Sequence, residues 1–307
     1  MEYRYLGADV HALGIHRASL FRILFDAVQD AGIRIVNDCR LSGATIVGNR
    51  IMPEFGGRPP VDQDFDLIID ASGAGSPLSL GKSYDLPYAA LWTTVDDVPG
   101  TQVAVAALDQ RYLGARRMAG AMPIGINPAT GNAGVALFWS IKPSDLAALH
   151  QRGLAHWQQE FIALWPEAEP FVMQVPSLDA LTLAIYRHRT GKPFSQGGIF
   201  HVGDSWHCTS PQLGQGANMA LIDAAAIAEA LRSTENLSVV AHAYKHARSG
   251  HVRLYQILSR VFTPLYQSDS KLLARIRNWT IHYAARLPLV RTLIAHVVSG
   301  NFGNFGH

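Results

Sequence analysis

The sequence predicts a mixed fold of class α/β (α+β). A parallel α/β unit is interrupted by an antiparallel sheet and followed by a helical tail. Three observations carry this. Two short apolar runs end in Gly-bearing turns, DLIIDASG at 66–73 and GGIFHVGD at 197–204, as strands buried on both faces do. Between about 85 and 190 the texture changes to strand-like runs divided by Gly, Pro and Asn, namely LWTTVDDV, QVAVAAL, RYLGARRM, GAMPIGI and NAGVALFWSI, which reads as an antiparallel sheet. After Thr234 only helical segments remain. The expected organisation is one unit from 1–84 plus 187–235, an inserted sheet domain at 85–186, and a helical region at 236–307.

Taken in order, HRASLFRILFDAVQDA at 16–31 puts Leu20, Leu24, Ala27 and Val28 at helical spacing, and Gly32 ends the helix. IRIV at 33–36 reads as a strand, and short strands follow near 41–47 and 50–54. The run from Asp66 to Ala71 is a buried strand. Pro143 opens a helix, LAHWQQEFIALW is a second, and LTLAIYRHR is a strand returning the chain. In the tail a helix runs from about 238 to 262, with Pro264 and Pro288 as breakers and SGNFGNFGH as a frayed end.

Composition bounds the function. The 307 residues are 48% hydrophobic and 16% charged, enough to build a sizeable core and too apolar for a disordered chain. No run of about 18 uncharged apolar residues predicts a membrane span, and the first residues show no apolar signal region. Cys39 and Cys208 form no metal or CxxC pattern, so a reduced, cytoplasmic setting is expected. The net charge is +2, but residues 238–307 hold nine Lys/Arg against one acid, Asp269, and six of the thirteen His. That asymmetry fits contact with an anionic membrane surface; solvated helix faces are the plain alternative. No basic–aromatic nucleic-acid motif and no metal-ligand spacing occurs.

The stretch HVGDSWHCTSPQLGQGANMALIDAAAIAEAL, residues 201–231, carries the chemistry. Its strand delivers Asp204 to a carboxyl end, where open α/β sheets bind ligands. A carboxylate there accepts hydrogen bonds from the hydroxyls of a sugar or ribityl chain. Pro211 stiffens the loop. Gly214, Gln215 and Gly216 then leave backbone N–H groups unpaired at a helix start, which suits a phosphate or a delocalised anion. Seven alanines from Ala217 to Ala230 keep the helix thin. A Gly-rich connection without ligand is the alternative for a bare GxG, but the match here is longer.

The pattern GD-x6-P-x2-GQG-x-N-x-A-x2-DA resembles the second flavin-binding motif of the FAD-dependent aromatic hydroxylases, the group A flavoprotein monooxygenases that include para-hydroxybenzoate hydroxylase and the ubiquinone-biosynthesis hydroxylases. HRASLFRIL resembles the family's Arg-x2-Leu helix start, NAGVALFWSI a late strand of its substrate domain, and TPLYQSDS its C-terminal part. The resemblance implies a partial Rossmann-like FAD-binding domain. Asp204 would hold the ribityl chain. Pro211 and Leu213 would line the ring, and the N–H groups around Gly216, Ala217 and Asn218 would face its pyrimidine edge. Arg17 would contact FAD; the alternative is a surface Arg. The implied reaction is hydroxylation of an aromatic or polyketide/isoprenoid-like small molecule through a C4a-hydroperoxyflavin, with O2 as oxidant and NADPH or NADH as reductant. Rival readings are a reductase or halogenase of the same fold, or a non-catalytic remnant that binds no FAD.

Two departures qualify the resemblance. The Gly-x-Gly-x-x-Gly fingerprint is missing, since Gly7 and Gly14 do not fit its spacing. A family member is expected to carry about 90–100 further residues ahead of Met1, from the usual place of that fingerprint. The family's Gly-Asp-Gly turn reads Asp70-Ala71-Ser72-Gly73, so Ser72 stands where an acid is expected. Asp70 is a candidate substitute, or else the cap of a turn. Among other residues, His207 is a weak candidate proton donor, against a packed loop histidine. Tyr186 and Arg187 are candidates for facing substrate, against ordinary cross-strand roles. Trp92 and Trp139 read as core, and Cys208 as a buried small hydrophobe.

Overall fold

The computed structural model describes residues 3–300 apart from 8, 58–63, 104–105 and 285–286. Helix α1 spans Arg17–Asp30 and is capped by His16, whose Nδ1 accepts from Ala18 N. The predicted periodicity is realised, yet α1 has no buried residue, and Phe21 and Ile23 are more than half exposed. Its start is fixed instead by backbone, His16 N donating to the Ile124 carbonyl at 2.9 Å. The predicted strand at 33–36 does not form. A parallel strand needs neighbours on its edges, and Ile33, Ile35 and Val36 are all exposed.

An antiparallel hairpin follows, β1 (Leu41–Val47) with β2 (Arg50–Phe55). Strand β3 (Ile68–Asp70) begins the small sheet discussed below. The large sheet contains β4 (Lys82–Asp96), β5 (Asp109–Leu113), β6 (Arg117–Ile126) and β7 (Ala133–Ile141). The expected strand QVAVAAL at 102–108 falls partly outside the described residues, and its described part forms none. Helices α2 (Leu146–Arg152), α3 (Leu154–Leu164) and α4 (Glu169–Val172) precede β8 (Thr182–Thr190). The order β5-β6-β7-β4-β8 is antiparallel throughout.

Strand alternation sorts this sheet into two faces. Leu91, Val95, Leu137 and Trp139 join Leu149, Trp157, Phe161 and Phe171 in one buried core beneath the helices. The Trp139 and Phe161 rings stack at 5.2 Å. On the other face Trp92 and Phe138 lie 4.7 Å apart, and Trp92 Nε1 donates to Tyr186 Oη at 3.3 Å. Trp139 is therefore core as expected, whereas Trp92 is half-buried beside the buried Phe138 and Tyr186.

The small sheet has the order β3-β10-β9, with β9 at Phe194–Ser195 and β10 at Ile199–His201. β10 pairs in parallel with β3 and antiparallel with β9. β3 departs from expectation, because Ile69 at its centre is 46% exposed. Among the described residues nothing pairs with its second edge. The chain then forms α5 (Asp204–His207), α6 (Gly216–Ser233) and α7 (Leu237–Tyr266). α7 runs through Pro264, which lies in its last turn; a proline there forfeits one helical bond and stops little. α8 (Lys271–Ala284) and α9 (Pro288–Ser299) complete the tail. Residues 301–307 of the expected frayed end lie outside the described residues.

Burial predicts which aromatic side chains hold the fold. Phe161→Ala should cost about 3–5 kcal/mol, while Phe21→Ala on α1 should change stability by no more than about 0.5 kcal/mol. Urea unfolding of the two variants against the parent checks the contrast.

Candidate functional site

From Ile199 to Cys208 every residue is buried except Asp204. The reason is local. β10 ends at His201, and Gly203 turns the chain at φ +56°, with its α-carbon packed so closely on α6 that an added Cβ would lie 3.0 Å from Ala220 Cβ. A residue with a side chain would be strained in backbone and crowded at once. The turn leaves Asp204 as the first residue of α5, at the carboxyl end of β10, with its carboxylate toward solvent.

The turn is held by one buried carboxylate. Asp223 of α6 accepts from Gly203 N at 2.9 Å, from His207 Nε2 at 2.6 Å and from Arg248 Nε at 2.7 Å. It has no exposed side-chain surface. Burial pushes its pKa up, but the bonds and charges of His207 and Arg248 outweigh burial and hold it below the usual carboxylate range. His207 is thus a packed, hydrogen-bonded residue that spends Nε2 on Asp223. Arg248 continues the network, its Nη1 lying 2.6 Å from His251 Nδ1. Since guanidinium only donates, His251 Nδ1 accepts and its Nε2 carries the proton, donating to the Gly300 carbonyl at 3.0 Å. Burial, and then the Arg248 charge, lower the His251 pKa to about 4.

The loop that follows is open. Pro211, Gly214, Gly216 and Ala217 are exposed, while Leu213, Gln215 and Asn218 are half-buried. The first three amides of α6 have no partner within the helix, and no side chain caps them. Asp204 and the open amides of Gly216 and Ala217 therefore lie within one motif, the acid at a strand end and the donors at a helix N-terminus. These are the donor and acceptor types that a polyol chain and the electron-rich edge of a flavin require, so the residues present fit that part of the cofactor. Arg17 lies exposed at the start of α1, without a hydrogen bond to this stretch.

Asp70 does not substitute for the missing acid. Its side chain is 1% exposed. It accepts from Ser72 N at 3.0 Å, from the Ser72 hydroxyl, from Ser76 Oγ at 2.5 Å and from His201 Nδ1 at 2.8 Å. Burial raises its pKa, but the bonds from His201, Ser72 and Ser76 win and hold it low. It ties β3 to β10 rather than facing a ligand. Cys208 is buried, and burial together with nearby Asp204 pushes its thiol up to about 12, which leaves it inert as a nucleophile. Arg187 pairs with Asp85 at 2.6 Å. Tyr186 is buried with its pKa pushed up to about 12 by burial, so at neutral pH it is a hydrogen-bonding phenol.

Residues 113–253 match the family model described as the FAD binding domain. Over this stretch the chain is similar to FAD-dependent monooxygenases. It is 27% identical over 176 residues to the 6-methylpretetramide 4-monooxygenase of Streptomyces rimosus, which covers 54% of this chain and 41% of that protein. The chain therefore spans less than half the length of this relative. Among solved structures it resembles Klebsiella pneumoniae HpxO complexed with FAD and uric acid (TM-score 0.75, 17% identity, 94% of this chain and 72% of that one). It also resembles 2-methyl-3-hydroxypyridine-5-carboxylic acid oxygenase (0.65, 17% identity, 85% and 71%). The flavin-dependent halogenase CmlS is similar at 0.60, with 17% identity, covering 84% of this chain and 48% of that one. These likenesses establish the shared fold.

The exposure of Asp204 and the uncapped start of α6 agree with the sequence expectation. That expectation missed Arg248 and His251, which lie on α7 and meet Asp223 only in three dimensions. The DA pair that ends the motif was the available signal for Asp223.

The network gives a pH dependence. A histidine whose folded pKa is depressed from 6.5 to about 4 stabilises the fold fully above about pH 6.5 and loses that contribution as pH falls toward 4. His188, lowered by burial and by Arg260, acts in the same direction. Replacing His251 by Gln preserves an acceptor for Arg248 and a donor for Gly300 without the titration. His251→Gln should reduce proton uptake on unfolding between pH 6.5 and 4 by about one. Urea unfolding at a series of pH values measures this slope.

Proposed function

We propose that this chain carries the flavin-facing and substrate-facing parts of an FAD-dependent monooxygenase that hydroxylates a planar aromatic or polyketide-like small molecule, with O2 as oxidant and NADPH or NADH as reductant. The observation that carries the reading is the single exposed acid, Asp204, in a buried run, followed by uncapped amides at Gly216 and Ala217, within a segment that matches the FAD binding domain.

The division of labour follows from the residues. Asp204 accepts hydrogen bonds from ribityl hydroxyls. Pro211 and Leu213 give the ring an apolar rim, and Gly214 lets the loop turn beneath it. The amides of Gly216, Ala217 and Asn218, reinforced by the positive end of α6, stabilise negative charge on the pyrimidine edge. Gln215 borders them, and Arg17 is assigned a contact to the cofactor's polar part. When bound, the flavin supplies the oxygen-transfer chemistry. The half-buried Trp92, backed by the buried Phe138 and Tyr186, offers stacking surface for a planar substrate. In domain terms, 1–84 with 187–235 would form the cofactor unit, 85–186 the substrate unit and 236–307 the helical region. A halogenase or reductase is the second reading, supported by the likeness to CmlS.

Among the described residues no helix is long and apolar enough to cross a membrane. The finer expectation is a cytoplasmic protein touching an anionic membrane surface through its basic tail. Arg248 is spent on Asp223, and buried Arg277 lies over the Tyr112 ring at 4.6 Å, which reduces the charge left for such contact.

Asp204→Ala tests the assignment. Loss of charge-assisted bonds worth about 1.5–3 kcal/mol should weaken flavin binding at least about tenfold in a fluorescence titration. The melting temperature should stay unchanged, because the carboxylate is exposed. Equal affinity in the variant would remove Asp204 from the site.

A further inference from the structure

Gln215 holds the N-cap position of α6 and Asn218 the third position of its first turn. Amide side chains at such positions commonly fold back to satisfy the first helical N–H groups. Here neither does. Asn218 Nδ2 donates to Gln215 Oε1 at 2.8 Å, and Gln215 Nε2 donates to the Val298 carbonyl at 2.6 Å. The two side chains form a lateral chain that ends on the last turn of α9, 83 residues away in sequence.

That last turn is itself held firmly. Tyr255 Oη donates to the Val297 carbonyl at 2.7 Å and Tyr3 Oη to the Val298 carbonyl at 3.0 Å. His251 donates to the Gly300 carbonyl, which joins α9 to Arg248 and Asp223. Gly300 is left-handed at φ +81°, and a Cβ there would lie 2.3 Å from Asn218 Nδ2 and 2.5 Å from Gln215 Oε1. The left-handed backbone favours glycine, and any added Cβ obliges the ends of these two side chains to move.

We infer that the end of α9, Val298 to Gly300, is a positioning element of the cofactor site: it draws the Gln215 and Asn218 side chains aside and so keeps the amides of Gly216 to Asn218 uncapped for a ligand. This rests on the flavin reading for the ligand's identity, but the uncapping is a property of the chain alone. The hydrogen bonds close a loop. Gly203, beside Asp204, is bonded to Asp223, and through Arg248, His251 and Gly300 the same network reaches the turn that restrains Gln215. Both halves of the motif are therefore referred to one buried frame.

Gly300→Ala tests it. The added methyl pushes Gln215 and Asn218 back toward the helix start. Two readouts are taken on the whole chain: hydrogen exchange at the amides of 216–218, and the dissociation constants of riboflavin and FAD by fluorescence. The inference predicts fast exchange in the parent, at least about tenfold slower exchange in Gly300→Ala, and flavin affinity lowered about fivefold or more, a pattern that general loosening of α9 would not give because it speeds exchange. Should Gly300→Ala fail to fold, Gln215→Ser, too short to reach the Val298 carbonyl and a favoured N-cap residue, restores the cap without changing α9 and should shift both readouts the same way. Unchanged exchange and affinity in a folded variant overturn the inference while leaving the flavin reading intact. Slower exchange in a chain whose parent binds no flavin supports the positioning role and overturns the flavin reading.

Discussion

One buried carboxylate sets the geometry on which the candidate site depends. Asp223 is wholly enclosed and joins Gly203, His207 and Arg248, so it fixes the turn after β10, the short α5 and the long α7 at a single point. Removing one partner of such a group leaves an uncompensated charge in the interior, which costs several kcal/mol. The enclosure explains why Asp204 alone faces outward in a run of ten residues. Its neighbours are committed to the core of Phe200, Trp206, Met219 and Tyr244, and the turn at Gly203 leaves the next side chain nowhere else to point.

A second buried pair, Asp70 with His201, ties β3 to β10 at the level where the strands end. The floor of the site is thus pinned by two charged networks as much as by apolar packing. The small sheet needs that help. It has three strands, an open edge at β3 and an exposed Ile69. The antiparallel sheet, by contrast, rests on a dense aromatic core of Trp139, Trp157, Phe161 and Phe171, which requires no polar frame.

Where local chemistry decides a structure, the sequence was legible. Helical spacing located α1, and turn residues located β1, β2 and β6 to β8. The spaced Gly and Pro of 203–216 single out the candidate loop, because Gly203, Pro211 and Gly214 act through their own backbone. Where partners decide, it was not. IRIV has the composition of a strand but no adjacent strand to pair with. Ile69 looks buried by pattern and is not, for want of a covering layer. Pro264 reads as a breaker, yet falls in a last turn where few bonds remain to break. Asp223 with Arg248, and Gln215 with Val298, are long-range pairs that no periodicity announces. Asp70 could not be told from a ligand-facing acid until His201 was seen beside it.

The central claim is that the folded chain holds a ready-made half-site for a flavin, built for the ribityl chain and the pyrimidine edge. Titrating the chain with riboflavin, FMN and FAD and comparing their dissociation constants tests it directly. Because the assigned contacts all fall on parts that the three flavins share, the account predicts saturable one-to-one binding of each, with constants within about tenfold of one another, equivalent to about 1.4 kcal/mol. No saturable binding of any of the three to the folded chain would contradict it, and so would FAD binding more than about a hundredfold tighter than riboflavin, since the dominant contacts would then lie on the adenosine diphosphate end.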